Sequence, residues 1–224
     1  MDAAALRISL ALAAATTLTL LVVGLPLAYW LAVSPRRWKV AVEAAVALPL
    51  VLPPTVLGFY LLLVFSPTSP VGRAFQSVFG HPLPFSFEGL VVASVLYALP
   101  FSVQPFTAAL RAVDRRMLEA SQALGASRAR TFARITLPLA GPGLLAGCVL
   151  TFAHALGEFG VVLMVGGNLP GRTRTLSIAI FDAVEALDYE SAHRTAAFLL
   201  VVSFAVLLAT HLLQRRAIPG WPTG

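Results

Sequence analysis

Of 224 residues, 58% are hydrophobic and only 12% charged, against roughly a quarter charged in a soluble domain, so a water-soluble fold is excluded and a membrane protein is expected. The net charge of +6 falls between apolar runs instead of along one soluble face, which sets aside nucleic acid as a partner and points to membrane orientation. The single cysteine, Cys148, lies in an apolar run and leaves no disulfide framework or cysteine metal site within one chain.

Apolar runs long enough to cross about 30 Å of hydrocarbon, roughly 20 helical residues, lie near 6–33, 40–65, 88–110, 138–160 and 194–213. They predict an all-α membrane protein, a polytopic helical bundle of five transmembrane helices, or six if one further segment enters the bilayer. The whole of 1–224 reads as one transmembrane domain with an exposed loop at 111–137. The first run, Ile8 to Val33, is much longer than the roughly 7–15 apolar residues of a secretory signal and reads as a retained anchor.

The second run contains LPLVLPPTVLGF, where Pro49, Pro53 and Pro54 remove backbone donors inside the span. Freed carbonyls are costly in hydrocarbon unless packed on neighbours or facing a watered cavity, so this helix is expected in the bundle interior. In the third run LPFSVQPF repeats the theme, with Pro100 and Pro105 flanking Gln104. Kinked inner helices suit a gate. Pro53, Pro54, Thr55 and Gln104 are therefore pathway or gate candidates, with simple packing the alternative for each proline.

The loop that follows reads EASQALGASRARTFARITLPLAG over 119–141. Asp114 is placed to cap a short helix whose Met117, Ala120 and Leu124 share one face, and Gly125 can end it in a left-handed conformation. Ser127 can cap a second helix with Ala129, Phe132, Ala133 and Thr136 on one side and Arg130 and Arg134 on another. Pro138 then opens the next span, where a missing N–H costs nothing. Such a bent helix pair suits docking against another surface; an amphipathic loop lying on lipid headgroups is the other reading.

The fourth run places Gly147, Thr151, His154 and Glu158 on one small and polar stripe, and Gly143 and Gly147 at the G-x-x-x-G spacing that lets helices approach. Thr151 and His154 join the pathway candidates, with an interhelical hydrogen bond favoured for His154 over substrate contact. No second ligand for a metal is evident. Glu158 lies about 30 Å along the helix from Pro138 at 1.5 Å per residue, near the far boundary, where pairing with Arg172 or Arg174 or with backbone donors is expected. Beyond it, LSIAIFDAVEAL (176–187) has apolar residues at helical spacing but is too short to span. It reads as an interfacial or re-entrant helix.

Orientation follows from the basic residues. Eleven of the sixteen fall in SPRRWK, 111–134 and the QRR tail, and five in the N-terminus, 66–87 and 161–194. The positive-inside rule puts the first group in the cytoplasm, with the N-terminus outside and the C-terminus inside.

Glu119-Ala120-Ser121, three residues, Gly125, nine residues, then Ile135-Thr136-Leu137-Pro138 resembles the E-A-A-x3-G-x9-I-x-L-P loop of ATP-binding-cassette importer permeases of type I architecture. Ser121 for the second alanine is the one departure, and it is still small. GEFGVVLMVGGNLPGRTRTLSIAIFD, 157–182, and LPPTVLGF are similar to the molybdate permease subunits of that group. Sulfate permeases share the GEFG and GN features, while GGNLPGRTRTLSIAI favours molybdate; tungstate is a near equal in size and charge.

The resemblance implies a non-catalytic permease subunit in a prokaryotic plasma (inner) membrane. Two copies would surround a central path, with two ATPase subunits on the cytoplasmic face and an external or periplasmic oxyanion-binding protein delivering the ion. Glu119, Ala120, Ser121, Gly125, Ile135, Leu137 and Pro138 are then the ATPase-coupling residues. Asn168, Arg172 and Arg174, with Glu158, are external-loop candidates that touch the binding protein or stabilise their own loop. ATP and Mg would belong to the partner subunit, since the chain has no G-x-x-x-x-G-K-[ST] loop, and no cofactor is expected on this chain. No span is expected to hold an anion tightly, because a strong site would release it slowly. The runner-up within the same architecture is a sulfate or thiosulfate permease. From other classes, an ion-coupled carrier predicts paired charges at mid-bilayer and inverted repeats, and an intramembrane enzyme a nucleophile with its base or a metal-ligand set; neither pattern is visible.

Overall fold

A computed structural model describes residues 2–217, with side chains through Ala209 and at Leu212; the side chains of Arg215 and Arg216 in the basic tail lie outside the described residues. Every regular element among them is helical: α1 (Ala3–Val33), α2 (Lys39–Val51), α3 (Pro54–Phe65), α4 (Pro70–Phe79), α5 (Phe87–Arg111), α6 (Arg115–Ala123), α7 (Arg128–Thr131), a π-turn (Phe132–Thr136), α8 (Leu137–Gly157), α9 (Gly160–Gly166), α10 (Leu176–Glu185) and α11 (Tyr189–Ala217).

The centre of the bundle is the trio α1, α5 and α8. Asp2 starts α1 by accepting from the Ala4 and Ala5 amides at 2.9 and 3.1 Å, the capping that unpaired N-terminal amides require. Small residues let the trio close up. A side chain on Gly147 would sit 2.6 Å from the Phe106 ring, and one on Gly143 would sit 2.5 Å from Ala109. The predicted G-x-x-x-G face therefore packs α8 on α5.

Among the described residues four helices are long and apolar enough to cross a membrane alone, Ala3–Val33, Phe87–Arg111, Arg128–Gly157 and Tyr189–Ala209, or five spans with the bent pair α2–α3. That pair corrects the expected second span. It is not a kinked inner helix but two helices whose axes meet at 112°. Pro54 disfavours helical backbone at Pro53, and Pro53 adopts φ −54°, ψ 135°, so the helix stops and restarts. Nor is the pair central: only Val46 and Pro49 of α2 and Gly58, Leu61 and Phe65 of α3 are buried.

The apolar core is divided along the bundle. Ala28, Leu31, Val46, Val103, Phe106, Leu110, Ala140 and Leu144 cluster toward the end where α1 and α5 terminate. Leu61, Phe65, Leu83, Ala93, Val161 and Val165 form a separate cluster where α3 and α9 meet α5. The 176–187 segment becomes α10, of 10 residues, about 15 Å and half the length a span needs. It packs on α11, and its Leu176 amide donates to Ser9 of α1 at 2.8 Å.

Candidate functional site

Three local signals build the elbow between α5 and α8. Asp114 accepts from the Arg116 amide at 2.8 Å and starts α6. Gly125 ends it at φ +84°, backbone that side chains rarely tolerate, with the Ala126 amide reaching the Ser121 carbonyl at 3.1 Å. Ser127 accepts from the Arg130 amide at 3.3 Å and starts α7. The Ser121 and Thr131 hydroxyls, 3.0 Å apart, tie the two arms together, so the departure from alanine in the E-A-A pattern contributes a hydrogen bond.

The first arm is bare. No residue of α6 is buried, Leu124 is 89% exposed, and Glu119 meets only Arg115 one turn earlier, at 3.1 Å in an exposed pair that contributes little stability. The second arm is anchored, with Phe132 edge-on to Tyr29 of α1 at 4.8 Å between ring centres. Pro138 falls in the first turn of α8, as expected, although the backbone before it is already helical. Arg128–Gly157 runs as one helix of 30 residues, and the π-turn just before Pro138, closed by the Leu137 amide on the Phe132 carbonyl, holds one surplus residue. The wider turn moves the preceding carbonyls away from the proline ring.

Above the elbow, Arg111 bonds to Glu43 at 2.8 Å and to the Leu31 carbonyl at 3.0 Å, joining α5 to α2 and to the end of α1. Beside it, Glu43, Val46, Gln104 and Thr107 line a cleft of about 230 Å³. Gln104, Pro53 and Thr55 are exposed and Pro54 is half-buried. Thr151 is buried, its hydroxyl donating at 2.7 Å to the Gly147 carbonyl of its own helix.

His154 departs from expectation. Among the described residues it makes no interhelical hydrogen bond: its ring stacks on Phe101 at 3.8 Å, lies 5.1 Å from Tyr97, and leaves Nε2 buried without a partner. Glu158 also departs. It ends α8 inside the protein, 5% exposed, and accepts from Ser94 at 2.8 Å instead of meeting Arg172 or Arg174. The expected partners are placed elsewhere. Arg174 is taken by Asn168 at 2.6 Å and Asp182 at 3.2 Å, and Asn168 donates to Asp182 at 2.9 Å. Asn168 and Arg174 thus hold their own loop, whereas Arg172 is exposed in a cleft of about 480 Å³ with Arg7, His81 and Glu88. Among the described residues no three His, Cys, Asp or Glu side chains converge as metal ligands would.

Glu43, Arg111, Ser94 and Asp182 are the residues that sequence reasoning missed. Glu43 and Arg111 carried a signal, being opposite charges at neighbouring ends of two apolar runs; Ser94 and Asp182 carried none.

An exposed helix, a left-handed glycine and an anchored return arm on a bundle of this kind direct comparison toward transport proteins. A family model described as "binding-protein-dependent transport system inner membrane component" matches residues 24–219. The chain belongs to that family. This permease is 52% identical over 214 residues to the molybdenum transport system permease protein ModB of Azotobacter vinelandii, covering 96% of this chain and 95% of that one. It is 35% identical to ModB of Haemophilus influenzae over 96% and 95% of the two chains. It is also 37% identical to the sulfate transport system permease protein CysT of Synechocystis, over 79% of this chain and 62% of that relative. Its fold matches a bacterial ABC transporter involved in the import of the acidic polysaccharide alginate, with a TM-score of 0.77, 20% identity and coverage of 95% and 78%. It also matches the MetNI methionine ABC transporter, with a TM-score of 0.75, 18% identity and coverage of 96% and 95%.

Proposed function

We propose that this permease is the membrane subunit of an ATP-driven importer that translocates molybdate, with tungstate as a close chemical equivalent. The observation that carries the reading is the bare elbow helix. Met117 is 51% exposed on a helix with no buried residue, and Leu124 just past its end is 89% exposed, on an arm whose continuation is the 30-residue helix ending at Gly157. A separate ATPase subunit would cover that face. Closure of two such subunits around ATP and Mg would push α6, and the stiff helix beyond it would carry the displacement into the bundle, while the Phe132–Tyr29 contact delivers it to α1.

The α2–α3 break supports a paired arrangement. Pro53 and Val51 are exposed where the helix is interrupted, and interrupted backbone at membrane depth is tolerated only against protein or a water-filled cavity. A second copy of the chain, with a central path between the two, satisfies that requirement and places Pro53, Pro54, Thr55 and Gln104 along or near the path. An external binding protein would deliver the ion at the opposite end, where Arg172 remains exposed. The elbow lies inside the cell in this reading, the N-terminus outside and the C-terminus inside.

Identity favours molybdate over sulfate, 52% against 37% in the relatives above. Reconstituted with its ATPase and binding protein, the complex is expected to show ATPase stimulation by molybdate and tungstate and little by sulfate. Stimulation by sulfate alone would transfer the assignment to sulfate import, and ion uptake by the isolated chain without an ATPase would overturn the importer reading itself.

A further inference from the structure

The α8–α9 break holds a buried acid that oxyanion import does not call for. Glu158 Oε2 accepts from Ser94, and Oε1 is buried without a partner. Among the described residues no basic side chain lies within ion-pair distance of it, since the ion pairs join Arg111 to Glu43, Arg115 to Glu119, Arg174 to Asp182 and Arg194 to Glu190.

The surrounding elements supply no countercharge. α5 presents Ser94 and Tyr97, and α8 presents His154, its ring sandwiched near Phe101 and Tyr97. α1 packs Leu12 on Leu90 and Val162, and Ala13 on Ala155 and Leu156. The ionisable residues of α1 are elsewhere, Arg7 in the outer cleft and Tyr29 on Phe132. α9 contributes only apolar residues and glycines, Tyr60 of α3 is exposed, α10 packs Phe181 on Phe159 while its Asp182 is held by Arg174, and Glu190, His193 and Arg194 of α11 are exposed. An ionised carboxylate here would lose its hydration for a single hydroxyl donor, an exchange that does not balance. The neutral acid fits the site.

Position gives that acid a task. Two residues after Glu158, Gly160 packs on Pro54 so closely that a side chain would sit 2.6 Å from its ring. The two broken spans therefore meet, and Leu61 and Phe65 of α3 and Val161 and Val165 of α9 pack in one cluster that also takes in Leu83 and, from α5, Ala93. The Ser94–Glu158 hydrogen bond adds a polar link between α5 and the α8–α9 break.

We propose that Glu158 carries a proton in this packed arrangement and latches the α3–α9 pair to α5, releasing the proton to water when the break opens and recovering it on closure. Only the carboxyl O–H bond is broken and remade. The role as a latch rests on the importer reading; the proton on Glu158 does not.

The test uses the permease–ATPase complex in lipid nanodiscs. Infrared difference spectra at neutral pH should contain a protonated-carboxyl C=O band that disappears in Glu158→Gln and shifts in Ser94→Ala. A wild-type spectrum without the band, or a band unchanged in both variants, overturns the proton assignment. Hydrogen exchange should be several-fold faster at α9 amides in Glu158→Ala than in wild type, with Leu144 amide exchange unchanged; equal exchange at α9 overturns the latch. A wild-type complex that shows the band but moves no molybdate would instead count against the substrate reading.

Discussion

The two ends of the bundle are built by different means. At the elbow end, the long helices α1, α5 and α8 share one apolar cluster, and Arg111 ties three elements together through a carboxylate and a helix-terminal carbonyl. At the far end the chain is cut into short helices, α3, α9 and α10, with interruptions at Leu52–Pro53 and Glu158–Phe159. There smaller apolar clusters join the pieces, and single hydrogen bonds supplement them, Ser94 to Glu158, the Leu176 amide to Ser9, and Thr173 to the Gly166 carbonyl at 2.7 Å. One end is continuous and the other interrupted, and an uninterrupted helix resists bending where a broken one turns about a few backbone torsions.

The sharpest way to break this comparison is Gly125→Asp. The substitution forces a side chain into left-handed backbone, costing about 1–2 kcal/mol, and puts a charge on the elbow proposed to meet the ATPase. Uptake should be lost while the chain still inserts at wild-type levels; normal uptake would separate the elbow from force transmission. Gly147→Leu should come next, overpacking α8 against Phe106 and destabilising the stiff end by about 1–3 kcal/mol, read as a lower midpoint of thermal unfolding in detergent.

Arg111→Ala should cost about 1 kcal/mol or less, since the pair with Glu43 is partly exposed, and should loosen the end of α1, measurable as faster amide exchange near Leu31. His154→Ala removes a stacked ring worth about 0.5–1.5 kcal/mol. It should lower stability without changing the molybdate-to-sulfate preference, and a changed preference would move His154 from packing to the pathway. The smallest effect on stability is expected for Arg172→Ala, which has no ion-pair partner among the described residues. Its thermal midpoint should stay at the wild-type value while stimulation by the binding protein weakens.

Much of the stiff end was legible in the sequence because local chemistry determines it. Asp114, Gly125 and Ser127 act within a few residues of themselves, and the spacing of Gly143 and Gly147 needs only a helix to take effect. The yielding end was less legible. Three prolines announced an irregular span, but whether they bend or sever it depends on Pro53 and Pro54 being adjacent, and its peripheral position depends on what α1 and α5 already fill. Glu158 was misplaced because its partner Ser94 comes from another helix and Arg174 is held by Asp182, 24 residues after Glu158 in the chain, an outcome set by tertiary geometry. His154 stacks instead of bonding because Phe101 happens to face it across the α5–α8 contact.

The π-turn before Pro138 has a consequence for how the elbow points. Each residue of a regular helix advances the azimuth by about 100° and the rise by about 1.5 Å. The number of residues between Thr131 and Pro138 therefore sets the compass bearing at which the arm leaves the bilayer. Deleting one of them would rewind the coil to ordinary pitch and swing α6 by roughly a quarter of a circle, leaving the side chains of α6 intact but facing a different way.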